Sequence, residues 1–121
     1  MLIVTTQSIP GYRVDAVLGV VVSVSVCDSM YSADGIVART SDKRAMASMG
    51  FDAEAEALDR IRAEVERRGG NALIDCRLDT DEILERFSKV TCYGTAVSVV
   101  PIPQGQDGAT GQSSAEAANL R

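Results

Sequence analysis

The sequence predicts an α+β fold: a small antiparallel β-sheet with one long helix packed on one face, its elements in the order β-β-α-α-β-β. Three observations predict it. Tyr12 to Cys27 alternates with a period of two, a stripe at helical spacing follows from about Ala53 to Arg68, and two further alternating segments come after it. Two β-segments before a helix and a hairpin after it make an α+β arrangement in which the helix covers one sheet face.

The first strand candidate is short, Leu2 to Thr6, and Ser8-Ile9-Pro10-Gly11 after it is a turn. From Tyr12 onward every even position is apolar: Tyr12, Val14, Ala16, Leu18, Val20, Val22, Val24 and Val26. The odd positions mix Arg13, Asp15, Gly19, Ser23 and Ser25 with Val17 and Val21, so the even face is the one committed to a core. Sixteen residues at about 3.3 Å each span roughly 50 Å, too long for one straight strand in so small a domain. Gly19 is the natural position for a bulge or break. Between Asp28 and Gly50 the pattern weakens, and a short helix or irregular connection is expected.

The next helix is defined at both ends. Asp52 can cap it, Glu54 and Glu56 suit its positive end, and Ala55, Leu58, Ile61 and Val65 form the apolar stripe. Glu56 with Arg60 and Glu64 with Arg68 are acid-to-base pairs four residues apart, and Gly69-Gly70 terminates the helix. Ala72, Ile74, Cys76 and Leu78 then form the apolar side of a strand. Asp79 to Glu82 reads as an acidic turn, and Lys89 to Val100 as a last strand stopped by Pro101 and Pro103. Residues 1–103 make one domain. Residues 104–121 are rich in Gln, Gly, Ser, Ala and Asn, have almost nothing to bury, and are expected to be a disordered polar tail.

Composition excludes several functions. There is no His among 121 residues, which removes every Ser-His, Cys-His and His-ligand arrangement. A net charge of -5 opposes non-specific binding to nucleic acid or anionic membrane, and Arg60, Arg62, Arg67 and Arg68 are interleaved with acids, as on a solvated helix face. Neither a leader nor a spanning segment is expected near the start of the chain, and the location expected is the cytoplasm. Aromatics are only 4% of the chain, so the core is built from smaller side chains. A lone domain so built is marginal and gains from self-association. Val17, Val21, Leu73, Val97 and Val99, on the second face, are the expected subunit interface.

Cys27, Cys76 and Cys92 are the only candidate ligands for a soft divalent or monovalent metal. Cys76 and Cys92 share parity with core positions and Cys27 lies on the opposite parity of its strand. Small core residues are therefore the favoured reading, with a site assembled between subunits as the other. Asp79, Asp81, Glu82 and Glu85 lack a calcium-loop pattern and read as a solvated turn. Gly69-Gly70-Asn71-Ala72 ends a helix where a phosphate loop begins one. No catalytic constellation is present, so no enzymatic activity is expected.

Several ordered stretches carry a family resemblance. They are Thr5-Thr6, Pro10-Gly11-Tyr12, Leu18-Gly19-Val20-Val21, Gly69-Gly70-Asn71-Ala72-Leu73-Ile74, Asp79-Thr80, Glu82-Ile83 and Tyr93-Gly94-Thr95-Ala96-Val97. Over residues 2–100 the chain resembles the YbjQ-like family, a largely uncharacterised group of small bacterial and archaeal proteins described as heavy-metal-binding. The resemblance implies a subunit similar to that of dodecin in a ring-shaped homopentamer, with itself as partner and a heavy metal or small ligand at the subunit interfaces. It supplies no ligand set residue by residue. Where the family carries a Gly-Gly-Arg element, this chain has Arg39-Thr40-Ser41-Asp42-Lys43-Arg44. The alternatives are an enzyme using Cys or carboxylate chemistry at an interface, and a dodecin-like carrier of an aromatic small molecule.

Overall fold

A computed structural model describes residues 1–28, 31–32, 35–36, 43–83 and 87–120, with the backbone alone between residues 27 and 51. Its elements are β1 (Leu2–Ile3), β2 (Tyr12–Asp28), β3 (Tyr31–Ser32), β4 (Gly35–Ile36), α1 (Lys43–Arg67), β5 (Ala72–Ile83), β6 (Phe87–Pro101) and α2 (Gly111–Asn119). The main sheet has four strands in the order β1-β5-β6-β2, and β3 and β4 form a separate antiparallel pair. The α+β class is as expected, but the sheet is mixed, because β1 runs parallel to β5 with Leu2 opposite Ala72 and Ile3 opposite Leu73. The order also differs: one continuous helix replaces the expected two, and a helix follows the last strand.

Contacts cluster in two compact units. One comprises residues 1–21, 62–76 and 94–121, and the other residues 22–61 and 77–93.

In the first unit the N-terminal segment is laced to β5. Leu2 N–H donates to Asn71 O, Val4 N–H to Leu73 O, Asp75 N–H to Thr6 O and Cys76 N–H to Val4 O. Asp75 has a φ of 53°, in the left-handed region that Asp tolerates better than most residues. Alternation slips there. Ala72 and Ile74 belong to a cluster with Ile9, Val97 and Val99, whereas Cys76 is buried outside it and Leu78 is exposed. The expected common face of Ala72, Ile74, Cys76 and Leu78 is therefore divided. Asn71 extends the ladder with its side chain, whose Nδ2 donates to Val99 O at 2.9 Å while its Oδ1 accepts from Val99 N–H at 2.8 Å.

The C-terminal tail is a correction. Residues 111–119 form α2, and its Thr110 N-cap and Ser113 satisfy each other's backbone N–H in a capping box. Ser113 is fully buried and its Oγ also donates to Ile102 O at 2.9 Å. Composition gave no warning because the helix buries little more than Ser113 and Ala117, a hydroxyl and a methyl.

Along α1 the buried positions Ala53, Ala57, Ile61 and Val65 lie four residues apart, one helix face. The expected stripe shares Ile61 and Val65 with it, while Ala55 and Leu58 are half-buried. Asp52 lies inside the helix and caps nothing, because the helix begins at Lys43. That start falls within the segment expected to be weak. The same segment holds β3 and β4, while residues 29–30, 33–34 and 37–42, which include the Arg39 to Asp42 part of the family difference, lie outside the described residues. The C-terminus is as expected: Gly69 N–H donates to Glu66 O and Gly70 N–H to Val65 O. The acidic segment Asp79 to Glu82 is exposed strand and not a turn, since β5 continues to Ile83.

Candidate functional site

The surface that stands out is β2, the 17-residue strand at one edge of the sheet. Gly19 adopts a φ of +96°, a conformation that costs an L side chain roughly 1–2 kcal/mol, and the strand changes face there. Before it, Ala16 and Leu18 are half-buried and Arg13, Asp15 and Val17 exposed. After it, Val21, Ser23 and Ser25 are buried, and Val20, Val22, Val24 and Val26 are 66%, 53%, 39% and 55% exposed. The expectation that all even positions face the core fails at Val14, which is 42% exposed, and throughout the stretch beyond Gly19. A bulge was legible at Gly19, but its consequence is that the second half of the valine run points outward.

The buried side is polar for a stated reason. In the second unit Ser23 Oγ donates to Ala57 O at 2.6 Å and Ser25 Oγ to Glu56 Oε2 at 2.9 Å, so both hydroxyls fasten the strand to α1. Arg60 pairs with Glu56 at 2.5 Å and donates through Nη1 to Val24 O at 2.6 Å. In the first unit Arg68 binds Glu64 and donates to Leu18 O and Val20 O at 3.3 and 3.0 Å. The second-face residues expected at a subunit interface fare differently. Val21, Leu73, Val97 and Val99 are buried within the chain, and only Val17, at 68% exposure, remains available.

Glu64 is held by two arginines, Arg67 at 2.6 Å and Arg68 at 3.1 Å, which lower its carboxyl from 4.5 to about 2, hydrogen bonding to Arg67 being the largest cause. A depressed carboxyl contributes stability above its ordinary range and loses that contribution as pH falls through about 2. Carbon-detected NMR titration should therefore find Glu64 midway near pH 2, and Arg67→Ala should move the midpoint up toward ordinary carboxylates.

Of the cysteines, Cys76 and Cys92 are buried and fall in different units, and the Cys27 side chain lies outside the described residues, as does Glu85. Among the described residues no three His, Cys, Asp or Glu side chains gather closely enough to hold a metal ion. Asp79, Asp81 and Glu82 are dispersed along an exposed strand. The first unit also has an open cleft of about 310 Å³, lined by Leu2, Tyr12, Glu66, Asn71, Val99 and Glu116 among others. In it the Tyr12 hydroxyl donates to Glu116, which raises the Tyr12 pKa chiefly through that bond. No helix among the described residues is long and apolar enough to cross a membrane.

Comparison with known proteins places these features in a family. The YbjQ family, described as "Putative heavy-metal-binding", matches residues 1–100. The chain is 37% identical over 103 residues to a UPF0145 protein of Acidothermus cellulolyticus, covering 82% of this chain and 95% of that one. It is 35% identical over 106 residues to a UPF0145 protein of Mycobacteroides abscessus, covering 84% and 99%. A UPF0145 protein of Saccharolobus islandicus is 30% identical over 103 residues, covering 82% and 90%. The fold is similar to a crystal structure of a protein with unknown function of the DUF74 family from Pediococcus pentosaceus. That match has a TM-score of 0.60 and 21% identity, and covers 82% of this chain and 97% of the other. None of these names is enzymatic, and α2 lies beyond the matched residues 1–100. By family match and by identity over most of its length, this chain belongs to the YbjQ-like (UPF0145) family.

Proposed function

We propose that this chain is the subunit of a closed ring of identical copies, a homopentamer, which works by binding and not by catalysis. A soft metal ion or small ligand is held where subunits meet. One observation carries the association: four valines of one strand, Val20, Val22, Val24 and Val26, point to solvent beside a helix-bound face. An apolar stripe of this kind marks an interaction surface on a soluble protein. Identical copies supply a matching stripe and close it by symmetry. The family description supports a metal, and with no His in the chain the three thiols are the anionic soft donors it offers.

Native mass spectrometry of protein purified without chelators reads subunit count and bound mass together. Five copies are expected, and a monomer at micromolar concentration would remove the assembly. Val22→Lys and Val24→Lys should each weaken association by about tenfold or more, since each withdraws part of a Val side chain's burial. Sedimentation velocity checks this. For the metal, Zn or Cu(I) should slow alkylation of Cys27, Cys76 and Cys92, and unchanged labelling would count against it.

A further inference from the structure

We infer that Arg60 and Arg68 guard the open edge of β2 and so direct a second copy of this chain to the valine face, away from strand-by-strand addition. The inference rests on the association reading for where copies meet, and extends it to how they are kept from meeting wrongly. Carbonyls of a strand lie in the plane of the sheet and point to one side or the other. Among the described residues β6 stands on one side of β2 and no strand on the other. A long edge strand with exposed valines is a template for another strand, because its backbone acceptors invite pairing.

Here three of the strand's carbonyls, those of Leu18, Val20 and Val24, are taken by arginines. In the second unit Arg60 Nη1 donates to Val24 O at 2.6 Å while its Nη2 binds Glu56, whose other oxygen accepts from Ser25 Oγ at 2.9 Å. One network thus grips two successive residues of the strand, one by its carbonyl and one by its side chain. In the first unit Arg68 Nη1 reaches both Leu18 O and Val20 O, across the bulge at Gly19, and its Nε is anchored by Glu64. Because β6 pairs with β2 on its other side, carbonyls free to accept from a guanidinium are those turned to the open side, and we assign Leu18 O, Val20 O and Val24 O to it. Arginine suits the task because its planar fork binds a carboxylate and a carbonyl at once. The exposed valines are left uncovered by either arginine, so the face remains available where the edge is not.

The test compares wild type, Arg60→Ala/Arg68→Ala, Arg60→Lys/Arg68→Lys and Val22→Lys/Val24→Lys by native mass spectrometry, sedimentation and thioflavin T fluorescence, with circular dichroism as the folding control. The alanine pair should lower the concentration at which dye-binding polymers form by about tenfold, the factor corresponding to roughly one hydrogen bond to a charged donor. The lysine pair, which keeps charge but not the fork, should fall between it and wild type. The valine pair should lose the discrete oligomer without polymerising, because its guards remain. If the alanine pair is folded and keeps wild-type mass with no dye signal, the guarding role is overturned. If the alanine pair fails to fold, the lysine pair decides: polymers support the role and wild-type behaviour overturns it. A monomeric wild type would overturn the ring alone, since polymerisation of the arginine variants is read separately.

Discussion

Gly11→Ala is expected to release α2 while leaving the rest of its unit folded. Gly11 has a φ of +89°, and a Cβ there would lie 2.5 Å from Thr110 Oγ1 and 2.9 Å from Ser113 Cβ. Thr110 is the N-cap and Ser113 the buried partner of the capping box, so the methyl strikes the joint that holds the helix in place. The left-handed backbone costs Ala about 1–2 kcal/mol, and the overlap adds more unless the obstacle moves. The obstacle can move. α2 buries chiefly Ser113 and Ala117 and stands at the chain's end, so undocking relieves the overlap at a smaller cost than distorting the sheet. The variant should show new protease cleavage between residues 104 and 110, faster amide exchange in residues 111–119 and an unchanged sheet. Global unfolding, or an α2 as protected as in wild type, would contradict this account.

Leu73→Ala should produce the largest loss of stability, about 3 kcal/mol within the 2–5 typical of such truncations, and lower the melting temperature by roughly 10 °C. Leu73 is fully buried, and its Cγ and Cδ1 lie 3.1 and 3.0 Å from where a Cβ on Gly94 would stand. The leucine thus packs on bare backbone, and its removal leaves a cavity that the rigid strands cannot close. Gly94→Ala alone should also destabilise, because its methyl meets both Leu73 and Ile74 O, the latter at 3.0 Å. Together the two changes should cost less than their sum, since the new methyl enters the space the leucine leaves. Rescue stays partial because the Ile74 carbonyl does not move away. Chemical denaturation of the four proteins measures the coupling, and strict additivity would refute the proposed contact.

What could be read in the sequence, and what could not, follows from how locally each feature is determined. The long β2, the end of α1 at Gly69-Gly70 and the Glu56–Arg60 and Glu64–Arg68 pairs were all legible, because periodicity, capping and four-residue spacing act between near neighbours. The start of α1 was not: its first turn contains no acidic residue, and Asp52, a plausible cap, is simply a helical residue. The parallel pairing of β1 with β5 depends on residues seventy positions apart, Leu2 with Ala72, and nothing local specifies it. α2 escaped because its cap uses Ser113 in place of the acidic partner usual in a capping box, and because the groove that receives it is Gly11, a hundred residues away. Of the candidate ligands, the burial of Cys76 and Cys92 followed from small thiols in apolar strands, yet Cys76 reaches its buried place only through the slip at Asp75.

The reversal at Gly19 has a consequence for how this chain tolerates change. An alternating run carries two interleaved texts, and beyond Gly19 the odd letters are addressed to the chain's own helix while the even ones face outward. Substitutions edit one letter at a time. Insertion or deletion of a single residue between Val20 and Val26 would instead exchange the two texts. It would seat valines where Ala57 O and Glu56 require hydroxyl donors and push Ser23 or Ser25 into solvent. The segment should therefore accept changes of side chain far more readily than changes of length, a difference a library of point and length variants would display directly.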